Sequence, residues 1–77
     1  MNKQRRKELQ ELSTKAAALY SELEDLLTEE QNYMNNMPTA LVGSTRWEVA
    51  EEATTAMENA LDELTDAIES IDAAVEA

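Results

Sequence analysis

Residues 46–76 read RWEVAEEATTAMENALDELTDAIESIDAAVE, and from Ala53 every seventh residue is alanine: Ala53, Ala60, Ala67, Ala74. A second heptad row holds Ala50, Met57, Leu64 and Ile71, and a third holds Trp47, Thr54, Leu61, Ile68 and Val75. Nearly all other positions are Glu, Asp, Thr, Ser or Asn. Apolar residues three and four apart fall on one side of a helix. The stretch therefore predicts a long amphipathic helix whose alanine seam packs closely against a partner.

That partner lies upstream, between about Lys3 and Asn36. Leu9, Ala16, Leu23, Glu30 and Met37 form an a row, and Leu12, Leu19, Leu26 and Tyr33 form a d row, with no slip in the 3-4 spacing. A pattern held for about four heptads is a coiled-coil seam. An e row of Tyr20, Leu27 and Met34 makes the stripe wider than two helices need. In the same lettering the second helix has a = Ala50, Met57, Leu64, Ile71, d = the alanine row, and e = the row that begins with Trp47.

Between the two patterns stands Asn35-Asn36-Met37-Pro38, where proline ends the helix and holds Met37 out of helical geometry. Gly43 supplies the one position able to take a positive φ without strain. The second helix begins at Ser44 or Thr45: Thr45-Arg46-Trp47-Glu48 matches a capping box, and Ser44 is an equally good cap. The expectation is a single all-α domain: helix 3–36, turn 37–45 and helix 45–76. Each helix is ~45–50 Å long at ~1.5 Å per residue. A short connection makes them antiparallel neighbours.

Size matching suggests a register in which paired residue numbers sum to 83, with Leu9 facing Ala74, Leu23 facing Ala60 and Leu12 facing Ile71. That register leaves the e rows open. Tyr20, Leu27, Met34, Trp47, Leu61, Ile68 and Val75 would form an apolar strip, and a strip of that size marks a contact surface. The expectation is a homodimer of hairpins, a four-helix bundle.

Composition narrows function further. The 77 residues carry 17 acids against 6 bases, a net charge of −11, which argues against direct binding to nucleic acid. The charge is uneven: residues 1–15 hold Lys3, Arg5, Arg6, Lys7 and Lys15 against Glu8 and Glu11, a net +3. The remainder holds fifteen acids and only Arg46, a net −14. With no His and no Cys, the hydroxyls of Ser13, Ser21, Ser44 and Ser70 have no imidazole to activate them, and thiolate or imidazole metal ligands are missing. Gly43 stands alone, so there is no phosphate loop. No catalytic residue, cofactor site or metal site is expected. Glu30, the one acid on a seam row, is expected to bend outward to water or Arg46. No apolar run approaches the ~18 residues of a membrane span, and the basic start lacks the apolar core of a secretory signal.

Two surfaces could bind a partner. Glu58, Asp62, Asp66, Glu69, Asp72 and Glu76 track one side of the second helix. Their axial spacing of ~4.5–6 Å approaches that of phosphates along a strand, ~3.4 Å per nucleotide. Such a row suits a basic, nucleic-acid-accepting protein surface, or it is simply a solvated face. Met37, Leu41, Val42 and Trp47 cluster at the turn, either as a plug or as an apolar anchor for a partner.

The opening MNKQRRKEL, the segment NMP…LVGS around Pro38–Ser44, and the repeat ALDELTDAI at 60–68 resemble small acidic helical proteins carried by prophages and mobile elements of Gram-positive bacteria. The resemblance covers most of the chain and carries over no site residue. It implies a phage gene acting in a bacterial cytoplasm. By analogy with other small acidic phage proteins, it implies an inhibitor of host machinery such as restriction or CRISPR effectors. A structural role, as an oligomerisation or scaffold module using its apolar strip, is the competing expectation.

Overall fold

The computed structural model describes residues 1–77 as two long helices, α1 (Lys3–Asn35) and α2 (Thr45–Glu76), joined through a single 3-10 turn at Thr39–Leu41. They lie side by side as an antiparallel hairpin. Arg6 Nη2 donates to the Ala77 carbonyl oxygen (3.2 Å) at one end, and the Thr54 hydroxyl oxygen lies 3.4 Å from Met34 Sδ toward the other. The result is a rod of 59 × 14 × 12 Å with a radius of gyration of 17.5 Å. A compact domain of this length would have roughly 11–12 Å.

Local chemistry explains the ends. Asn2 caps α1, its side-chain oxygen accepting from the Arg5 amide at 2.7 Å. The helix closes with the Asn36 amide on the Asn32 carbonyl (3.0 Å) and the Met37 amide on that of Met34 (3.1 Å). Pro38 then takes an extended ψ of 144°, and its carbonyl accepts from the Leu41 amide at 2.8 Å. Gly43 has φ +83°, the only positive φ in the chain, and this lets the backbone double back into α2. Of the two possible caps, Ser44 is used: its hydroxyl oxygen accepts from the Trp47 amide at 3.3 Å. Thr45 is already the first helical residue.

The helices are rolled about their axes relative to the expected register. On α1 the inward residues are Arg6, Leu9, Ser13, Ala16, Tyr20, Leu23, Leu27, Glu30 and Met34, which are the a and e rows, and Met37 continues the a row into the turn. On α2 the most enclosed residues are Ala50 and Leu61, 3% and 8% exposed. They belong to the a and e rows, whose other members are all half-buried. The d rows move outward. Leu12, Leu19, Leu26 and Tyr33 are 50%, 52%, 55% and 46% exposed. Ala67 is exposed, while Ala53, Ala60 and Ala74 sit half-buried at the flank. The alanine row is thus not the centre of the seam. The roll is roughly 50° on each helix, half the ~100° between successive residues.

The reason lies in side-chain size and polar matching. Turning α2 toward its e row encloses Trp47, Leu61, Ile68 and Val75 in place of alanines, and apolar burial stabilises by roughly 25 cal/mol per Å². The hydroxyls of the e rows are satisfied there, while Arg6 Nε, one heptad before Ser13, is buried without a hydrogen-bond partner. The Ser13 hydroxyl donates to Asp72 Oδ1 at 2.7 Å, and the Thr54 hydroxyl donates to the Ala50 carbonyl at 2.8 Å. Glu30 lies half-buried on the seam and keeps its carboxylate oxygens in reach of solvent.

Two stability effects follow. Leu61→Ala should lower unfolding free energy by roughly 2–3 kcal/mol, the lower part of the range for buried leucines because its half-buried neighbours can relax. Gly43→Ala meets no atom within 4 Å, so its effect is backbone strain alone, about 1–2 kcal/mol. Urea unfolding followed at 222 nm checks both. A Leu61→Ala midpoint equal to that of the native chain would contradict the a/e seam.

Candidate binding surfaces

The acidic face is where the sequence places it. Glu58, Asp62, Asp66, Glu69, Asp72 and Glu76 are all exposed, and they span ~27 Å of α2 at ~1.5 Å per residue. Two details were not legible from the row itself. Asp72 is drawn toward α1 by the Ser13 hydroxyl. Glu69 borders a shallow groove that α1 completes with Tyr20 and Glu24, so α1 adds a carboxylate to this side. Pairing Ser13 with Asp72 by register was the signal that could have shown which way the helices turn.

At the turn end, Met37, Leu41 and Trp47 are half-buried and close the hairpin, whereas Val42 is 55% exposed. The Trp47 indole N–H donates to Glu51 Oε2 at 3.0 Å, one turn along the same helix. That bond fixes the ring against the end of the seam. Three of the four residues expected to cluster there are therefore packed inward, and only Val42 is presented to solvent.

The strip expected to stay open for dimer contacts is the strip the hairpin uses internally. Tyr20, Leu27, Met34, Ile68 and Val75 are half-buried and Leu61 is buried. The correction follows from the roll: a row cannot serve the intrachain seam and an outer face at once. The exposed apolar face is instead the d row of α1. Leu19, Leu23 and Leu26 form a shallow groove with Ala60 and Leu64 of α2, and Glu22 and Glu63 stand at its rim. Val49, 60% exposed, and Ala56 continue the apolar surface along the outer edge of α2. On the helical wheel this face lies on one side of the seam and the acidic row on the other.

The hydroxyls of the helices are engaged locally. Thr14, Thr28, Thr54 and Thr65 each donate to the carbonyl four residues back, at 2.8–3.1 Å. Such bonds satisfy a hydroxyl within its own helix. No three Asp or Glu side chains converge as a metal-holding group. No helix is long and apolar enough to cross a membrane. Comparison with protein-family models, with curated proteins and with solved structures finds no match to this chain.

Proposed function

We propose that this chain is a non-enzymatic protein-binding module of the phage type. It acts in the bacterial cytoplasm as a dimer of hairpins forming a four-helix bundle. Its acidic α2 face occludes a basic, nucleic-acid-accepting surface on a host protein, as an anti-restriction or anti-CRISPR inhibitor would. The observation that supports this reading is the acidic row itself: six carboxylates, all exposed, along ~27 Å of a straight element. A rigid rod presents such charges in fixed order, which pre-organises them for a complementary surface. Electrostatic matching of this kind sets partner choice and speeds encounter.

A second reading is favoured by a separate observation. The leucines of α1 are about half exposed, and a face of that kind suits a scaffold or assembly module whose apolar surface is the functional contact.

The two readings differ in salt dependence. The tagged chain is to be incubated with lysate of a Gram-positive host at low and at high salt, with and without duplex DNA as competitor. On the acidic-face reading, captured protein elutes as salt rises, because exposed charge pairs are screened over ~8–10 Å at physiological strength. Duplex DNA then displaces it. Changing Asp62, Asp66 and Glu69 to Asn, Asn and Gln should lower capture by more than tenfold and leave the helical signal unchanged. Capture by that triple variant equal to native would overturn the acidic-face reading and leave the apolar one.

A further inference from the structure

We infer that the open d face of α1 is the surface that receives a second copy of this chain, with the two α1 helices antiparallel and crossing at Leu19. This rests on the dimeric part of the reading above and assigns the face and the orientation.

A missing partner is indicated by area. A folded monomer of 8.6 kDa is expected to expose roughly 4,700 Å² from the scaling of surface with mass. This hairpin exposes 5640 Å², an excess of ~900 Å², and a stable interface buries ~800 Å² on each partner. Only Ala50 and Leu61 are buried in the isolated hairpin. That is too little core for a chain of this length to offset the entropy of ordering it. The apolar surface available to supply the rest is the row Leu12, Leu19 and Leu26.

A second copy fits that row by symmetry and by charge. α1 spans Lys3–Asn35, so Leu19 is its midpoint. A twofold axis there sets Leu12 against Leu26 of the second copy, and Leu19 against its own equivalent. One heptad before Leu12 the same row reaches Arg5, which the twofold places over Tyr33 of the second copy, a cation on an aromatic face. Lys15 falls beside Glu22 of the second copy. More broadly, α1 is +3 over residues 3–15 and −5 over residues 16–35, where Glu22, Glu24, Asp25, Glu29 and Glu30 meet no base. Antiparallel pairing therefore sets opposite charges together.

The other symmetric arrangement, with both turns at one end, sets like charges together. Residues 20–60 hold nine acids against Arg46, a net −8, and that half of each hairpin would face its copy. The antiparallel arrangement sets this half against the other, which carries a net −3.

The test uses Leu19→Cys in the full chain, which has no native cysteine. Sedimentation should give twice the 8.6 kDa chain mass for the native protein at ~10 μM. Oxidation of Leu19→Cys should yield mostly covalent dimer. Leu12→Cys and Leu26→Cys should crosslink poorly alone and well when mixed. Leu19→Glu with Leu26→Glu should raise the dimer dissociation constant at least tenfold. Where that variant loses helix as it dissociates, the native melting temperature should still rise with protein concentration. A native chain that sediments at 8.6 kDa at ~100 μM, with a melting temperature independent of concentration, would show that no second copy covers the face. A dimer that forms but leaves Leu19→Cys uncrosslinked would overturn the orientation. The triple change at Asp62, Asp66 and Glu69 should leave the dimer intact. Failure of the acidic-face reading and failure of this one are therefore separately visible.

Discussion

Two helices lying side by side cover a strip about two heptad rows wide on each other. Both helices of this chain carry three rows that are wholly or partly apolar. One row on each must therefore be left outside, and which one it is decides every surface the molecule presents. The hairpin encloses the a and e rows. Leu61 is the deepest large side chain in that seam, with Tyr20, Leu27, Met34 and Ile68 half-buried along it. The leucines at 12, 19 and 26 are the consequence: they are regular, apolar and uncovered.

The same roll places the charge. Rotating α2 toward its e row carries the acidic positions to the opposite flank from the leucine face, so the rod has an apolar side and an acidic side. Asp72 is the point of contact between that acidic side and α1, through the Ser13 hydroxyl. The basic start of α1 lies at the C-terminal end of α2, where Arg6 reaches the Ala77 carbonyl. Positive side chains are favourable at that end of a helix dipole. A single geometric choice thus puts the exposed leucines and the acidic row on different sides of the rod.

The turn gives the seam its direction. Pro38 stops α1, Gly43 reverses the backbone at φ +83°, and Ser44 starts α2. Met37, Leu41 and Trp47 fill the space between the helix ends. Trp47 is the first member of the e row on α2, so its packing under the turn already commits that row to the interior. The turn and the seam agree on the same rotation, and consistency between local and global choices of this kind is what selects one structure among several similar ones.

Much of this was legible in the residues. Heptad spacing, one proline, one glycine and two good capping sites determined that the chain is two antiparallel helices with a turn near residue 40, because these are local or periodic signals. The identity and exposure of the acidic row were also legible, since any helix carries those positions on one side. The azimuth of the helices was not. Rows a, d and e all look apolar in a linear sequence, and matching large residues to alanines placed the d rows inside. The tertiary structure decided otherwise because burial is a property of facing pairs. Trp47, Leu61, Ile68 and Val75 enclose more apolar area than the alanine row, and the Ser13 hydroxyl reaches Asp72 of the other helix only when the e row of α1 faces inward. No single helix contains that information.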